Sequence, residues 1–540
     1  MKTPVLLSAC GLFLIMACPA FAAGYSVEEK SLDQLEADLA AGRTTSVELV
    51  RLYEQRIATL NPKLHAVIAL NPDALAQAAA SDAARKARAP QGPLAGLPLI
   101  LKDNIETADK VATTAGSLAL AQNVTGRDAP LAARLRAAGA IVLGKANLSE
   151  WANIRSSHSI SGWSATGGQT RNPYALDRNT CGSSSGSGAA GAASLAAATI
   201  GTETDGSVTC PAAVGGLVGL KPTVGLISRT YVVPISHTQD TPGPMTRSVR
   251  DAALLLGVMA GSDPKDPATA RADAVGYDFL SALKPDALKG VRIGILRFAA
   301  GFHPETDAVF EKALDALAAA GATLVDIQKF PNDRDLGKFE QSVLMTELKA
   351  DLNAYLASTR PDQVASRSLA DLIAFDKAHA AEEMPLFGQE LFETAQATKG
   401  LADPDYLYAK ADAFRFAGPE GIDKLLADNR VSVLVAPTLG PAWLIDPVLK
   451  DQFVGGSAGG PAAIAGYPHL TVPMGQVDGL PVGLSFIGAA WSDGALLAYG
   501  YAFEQATHAR KPPKYLPTVA AESEAAWNAS RDQSGKPPAR

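Results

Sequence analysis

The chain is poor in the residues that most catalytic and metal-binding motifs are built from. Of 540 residues only 7 are histidine and 4 are cysteine. No H-E-x-x-H, paired C-x-x-C, Walker loop or G-x-G-x-x-G after a strand occurs, so metal and nucleotide chemistries lack a motif, and no metal or organic cofactor is expected. Four cysteines in so long a chain are not a disulfide scaffold. Cys10 and Cys18 fall in or beside the N-terminal apolar segment, which leaves Cys181 and Cys210, and sequence does not say whether these two pair. The net charge of −7 gives no basic footprint for nucleic acid or anionic lipid. After the first 22 residues no uninterrupted apolar stretch reaches membrane length, so no membrane span is expected.

What is present is a large globular composition, 47% apolar and 19% charged, enough to bury an extensive core. Residues 1–22 read as an export signal: Lys2, the apolar run Val5–Ala17, and Ala20-Phe21-Ala22 before Ala23. Ile15-Met16-Ala17-Cys18 offers a second reading, a loose lipoprotein site that would leave Cys18 lipidated. Met16 fits that pattern poorly, and simple export to the periplasm or medium is the expectation. Residues from about 26 to 90 look helical, with Ser46 as an N-cap before apolar residues at helical spacing, and with Asn61-Pro62 and Asn71-Pro72 as punctuation. Leu99-Ile100-Leu101 reads as a buried strand ending at Lys102. Leu131–Ala138, Gly139 and Ile141–Leu143 give a helix, glycine, strand rhythm that recurs at 308–325 and before 431–435, the pattern of an α/β protein. Residues 517–540 are polar and aperiodic and read as a tail.

Two glycine-serine clusters, Cys181–Gly188 and Gly201–Ser207, flank an alanine-rich run, Ala189–Ala198, expected to be a tightly packed helix. A flexible linker is the ordinary meaning of such a composition, yet here it lies mid-chain between apolar elements. Gly182-Ser183-Ser184-Ser185-Gly186 matches the nucleophile elbow G-x-S-x-G, which would make Ser184 the nucleophile. The polar residues 174–180 before it are not the strand that motif needs, and no downstream histidine is singled out. Ser281-Ala282-Leu283-Lys284 matches S-x-x-K without its companion motifs. Both read as coincidences.

Taken together, Gly96–Asn104, the two clusters, Gly219-Leu220-Lys221-Pro222-Thr223, Asp240–Ser248 and Leu480–Gly483 resemble the amidase signature family of hydrolases, over about residues 31–515. The resemblance implies one compact α/β domain over residues 23–516 around a large mixed sheet. It implies a Ser-Ser-Lys triad with Ser207 as nucleophile, Ser183 as bridge and Lys102 as base, a cis Gly182–Ser183 bond, and an oxyanion hole from the backbone N–H groups of Thr204, Asp205, Gly206 and Ser207. The chain departs from the usual G-G-S-S-G-G-S and G-T-D-T-G-G-S at Cys181, Ser185, Glu203 and Asp205, and Thr209 stands where an arginine is frequent. With the export signal, Asn147–Trp151 and Gly162-Trp163-Ser164, these departures look most like the bacterial peptide amidases, which remove the C-terminal amide of peptides. The implied partner is a small-molecule or peptide amide, on a monomer or homodimer.

The residue types suit that chemistry. A serine hydroxyl needs a base to take its proton, and a lysine serves only when neutral, which burial favours. Asp103 would oppose that shift if it faced the amine, so it should point elsewhere. Hydrolysis of fatty or small aliphatic amides is the alternative within the class, since the triad handles the bond and the pocket selects the acyl group. A glutamine amidase that feeds ammonia to a partner enzyme is disfavoured by the export signal. Outside the class, a periplasmic solute-binding protein would share the signal and the α/β rhythm, but would leave both serine clusters unexplained.

Overall fold

The computed structural model describes residues 25–519 apart from Asp333, so the segment read as an export signal and most of the polar tail lie outside the described residues. Among the described residues there are thirteen strands: β1 (Val67–Leu70), β2 (Pro98–Lys102), β3 (Ile141–Ala146), β4 (Trp163–Ser164), β5 (Gly168–Gln169), β6 (Ala198–Glu203), β7 (Val218–Lys221), β8 (Thr241–Thr246), β9 (Arg292–Leu296), β10 (Thr323–Ile327), β11 (Val433–Pro437), β12 (His469–Val477) and β13 (Leu480–Ile487). Eleven of them form one mixed sheet in the order β1-β3-β2-β6-β8-β7-β12-β13-β11-β9-β10, and β4 pairs with β5 alone. The large mixed α/β sheet expected from the sequence is therefore the observed fold.

Strands β2 and β6 carry the site. β2 runs parallel to both β3 and β6, and all five of its residues are buried, as a central strand covered on both faces requires. The N-terminal region supplies helices α1 (Leu32–Ala40), α2 (Ser46–Leu64) and α3 (Ala74–Lys86). Ser31 and Gln34 close a capping box on α1. The cap of α2 is Thr45, whose side chain accepts from the Glu48 N–H, one residue before the expected Ser46. Two further expectations fail here. Asn61-Pro62 does not break α2, which runs on to Leu64 and ends at left-handed His65. Residues 67–70 are not helical but form edge strand β1, antiparallel to β3, because the Asn61 side chain bonds the N–H groups of Ala66 and Val67 and the Val67 carbonyl, turning the chain onto the sheet.

After α4 (Pro130–Ala137) and β3, the alanine-rich segment also departs from expectation. Helix α5 spans Ser185–Ala192, starting inside the serine cluster and ending well before Ala198. Ala198 opens β6, which pairs with β2 on one side and β8 on the other, so sheet position overrides the helical propensity of alanine. Serines of the first cluster stitch α5 to the sheet. Ser184 Oγ donates to Thr202 C=O (3.0 Å), and Ser187 Oγ donates to Ile200 C=O (3.0 Å). At Gly186 a Cβ would lie 2.4 Å from the carbonyl oxygens of both Ala66 and Asn147, so only glycine fits the crossing.

Candidate active site

Lys102 ends β2 and Ser207 follows β6, so the two come together at the C-terminal ends of adjacent parallel strands, where open α/β sheets place their sites. Ser183 arrives from the turn that precedes α5, through a cis Gly182–Ser183 peptide. Lys102 and Ser183 are fully buried and Ser207 is 8% exposed. Lys102 Nζ lies 2.7 Å from Ser183 Oγ, 2.9 Å from Thr202 Oγ1 and 3.2 Å from Thr202 C=O. Asn104 Nδ2 donates to the same Thr202 hydroxyl at 3.0 Å. The Ser184 N–H donates to the Ser207 C=O at 3.1 Å, which ties the two serine clusters side by side. Among the described residues the Ser207 hydroxyl has no protein partner, and the N–H groups of Thr204, Asp205, Gly206 and Ser207 have no protein acceptor. That leaves four donors on one short turn with an open hydroxyl beside them. Gly206 takes φ +76° and a Cβ there would meet nothing within 4 Å, so glycine serves the backbone conformation rather than the space.

Burial pulls the Lys102 amine down from 10.5 to about 7, against the opposing fields of Asp240 and Glu203. Asp103 does point away: its carboxylate accepts from the Thr114 N–H and hydroxyl and lies 3.7 Å from Lys145 Nζ. Asp240, pushed up to about 6 by burial, accepts from Thr204 Oγ1 (2.6 Å) and from the N–H groups of Ile235 and Ser236. Glu203 folds back over the turn, its Oε2 accepting from the N–H groups of Val208 (2.8 Å) and Thr209 (2.9 Å) and from Thr209 Oγ1 (3.2 Å). This carboxylate thereby brackets residues 204–207 and fixes the start of α6 (Thr209–Val214). Cys181 and Cys210 form a disulfide.

Sequence reasoning singled out Lys102, Ser183, Ser207 and the turn 204–207. Lys102 is hydrogen-bonded to Ser183, and the Ser207 turn is tied to the Ser183 loop through the Ser184 N–H, while among the described residues no hydrogen bond joins the Ser183 and Ser207 hydroxyls. Sequence reasoning missed Thr202, Asn104, Asp240 and the Glu203 bracket. Each lies inside a quoted motif, but partnership across the sheet is invisible in a one-dimensional pattern. Away from this site, His237, Glu347 and Asp351 gather three potential metal-ligating groups. The Lys410 side chain stands 3.4 Å from Glu347 and 3.3 Å from His237 Nε2, so a resident cation already offsets part of the negative charge there. The nearby Asp351 carboxylate raises the affinity of His237 for a proton.

A family model described as Amidase matches residues 48–497. A probable amidase of Arabidopsis thaliana is 41% identical over 91% of this chain and 93% of its own length. The chain belongs to the amidase family. A putative amidase of Arthroderma benhamiae is 37% identical to this amidase over 89% of the chain and 86% of its own length. Among solved structures, the native peptide amidase of Stenotrophomonas maltophilia shares 52% identity and superposes with a TM-score of 0.86, covering 90% of this chain and 99% of that one. No helix among the described residues is long and apolar enough to cross a membrane.

Proposed function

We propose that this amidase removes the C-terminal carboxamide of peptides outside the cytoplasm, through an acyl-enzyme on Ser207 with Ser183 as relay and Lys102 as base. The observation that carries the chemistry is a solvent-free lysine amine 2.7 Å from the Ser183 hydroxyl. In its neutral form, which burial makes accessible near pH 7, it takes the Ser183 proton while Ser183 takes that of Ser207, whose oxygen attacks the amide carbon. The N–H groups of residues 204–207 receive the developing oxyanion, a donor of this kind being worth about 3–4 kcal/mol of barrier. The relay runs backwards to protonate the leaving nitrogen, ammonia departs, and water hydrolyses the ester by the same path. No step calls on a metal or cofactor, so chelators leave the rate unchanged.

The peptide end of the reading is supported by the likeness to a peptide amidase at 52% identity over nearly the whole of that chain. Export is supported by the residue pattern of the first 22 positions and by the Cys181–Cys210 bond, a pairing at home in oxidising compartments. A second reading, amides of apolar acyl groups, is favoured by one observation. The Asp451 carboxylate accepts from Ser161 and from Asn179 Nδ2 (3.1 Å), four residues before Ser183, and it fastens a segment whose Val448, Leu449, Phe453 and Val454 side chains are exposed. A panel of C-terminally amidated dipeptides, glutamine and aliphatic amides, scored for ammonia release, separates the two. Preference for the dipeptide amides is the expected result, and turnover confined to aliphatic amides would replace it.

A further inference from the structure

We infer that the Cys181–Cys210 disulfide is a positioning element of the catalytic site, holding the relay serine in register with the nucleophile; this rests on the assignment of those roles to Ser183 and Ser207. Cys181 precedes Ser183 by two residues and Cys210 follows Ser207 by three, so the bond spans the two loops whose hydroxyls must meet. Both ends are tied into the loops that carry the reacting groups. The Cys210 N–H donates to the Gly206 carbonyl at 2.8 Å, within the oxyanion turn. The Cys181 N–H is held by Asn179 Oδ1 at 2.8 Å, and its carbonyl accepts from Ser185 Oγ at 2.7 Å.

The backbone at Cys181 gives the second argument. It sits at φ +54°, in the left-handed region where glycine is free of strain and a Cβ is not. A glycine there would give the same turn at lower cost, so what the cysteine adds is the sulfur. Ser183 is fixed to the sheet through Lys102, and the Ser207 turn is fixed through Glu203. Between the two loops stand the disulfide, the Ser184 N–H to Ser207 C=O bond, and the Ser184 hydroxyl, which donates to the Thr202 C=O and accepts from the Thr202 N–H at the far end of the turn. Opening the disulfide removes the covalent tie and leaves neutral hydrogen bonds, of which the Ser184 N–H to Ser207 C=O bond alone reaches the nucleophile's own residue, to set a proton-transfer distance, where misplacement by about 1 Å can cost ~100-fold in rate.

The test compares the oxidised enzyme, the same enzyme after a phosphine has carried the two-electron reduction to two thiols, and the variants Cys181→Ala/Cys210→Ala and Cys181→Gly/Cys210→Ala. The glycine variant removes the left-handed cost and keeps the comparison valid where the alanine variant fails to fold. Three quantities are read well below the melting temperature: labelling rate by a fluorophosphonate, kcat and KM on an amidated dipeptide, and the melting temperature itself. The expected result is labelling and kcat reduced about 10- to 100-fold with KM within about two-fold, and recovery when the reduced enzyme is reoxidised with oxidised glutathione. A lowered melting temperature with wild-type labelling and kcat would make the bond merely structural and overturn the inference. Failure of the oxidised wild-type enzyme to label at all would instead refute the serine roles on which it depends.

Discussion

At Lys102 the cost of function is visible in one side chain. Its amine is driven from 10.5 to about 7 by burial alone, since the two nearby carboxylates act in the opposite direction. The unfolded chain keeps this lysine protonated up to its ordinary value, while the folded chain lets it lose the proton near neutrality. Stability therefore falls as pH drops from about 10 to 7 and is flat below that, with about 4–5 kcal/mol as the upper bound of the loss. Lys102→Met should be inactive yet more stable than wild type at pH 7, by about 2 kcal/mol once the lost bonds to Thr202 and Ser183 are counted. That gain should vanish near pH 10, as denaturant melts at the two pH values will show. Turnover by the wild type should rise through pH ~7 as the amine becomes a base, and a rate flat from pH 5 to 9 would contradict a lysine base. Ser207→Ala should retain the fold and lose at least about 1,000-fold in kcat, the scale on which nucleophile removal acts in serine hydrolases.

Among the elements, the turn between β6 and α6 does the organising. Its four free N–H groups stay oriented because Glu203 reaches over them to Val208 and Thr209, and because Asp240 holds the Thr204 hydroxyl. Glu203→Gln keeps the shape but weakens two charge-assisted bonds. It should lower kcat by about 10- to 100-fold with KM little changed, measured by steady-state kinetics, and lower the unfolding free energy by about 1–3 kcal/mol. What the sequence disclosed at this scale, and what it hid, follows from range. The strand ending at Lys102 and the glycine-serine turn were legible because apolar runs and special backbone conformations are local signals. The start of α5 within the serines, the strand fate of Ala198 and edge strand β1 were not, because the sheet decides them through partners distant in sequence. Thr202 escaped notice for the same reason: its role is a contact with Lys102, 100 residues away.

Across the whole molecule the sheet explains why so many separated motifs form one site. Parallel β3, β2 and β6 deliver their ends to one edge, and β8 and β7 bring Asp240 and Lys221 alongside. The disulfide closes a span of 29 residues across that edge, and its removal should cost about 3–4 kcal/mol of stability in the chain-entropy account, apart from any effect on rate. The exported form predicted from residues 1–22 should begin at Ala23, which N-terminal sequencing of the secreted protein will read; a lipid-modified Cys18 would mark the anchored alternative. The central claim is that one hydroxyl, that of Ser207, carries the acyl group. Fluorophosphonate labelling followed by peptide mapping tests it most directly. A single adduct on Ser207, lost in Lys102→Met, is the predicted result, and an adduct on Ser184 or on no serine of either cluster would contradict it.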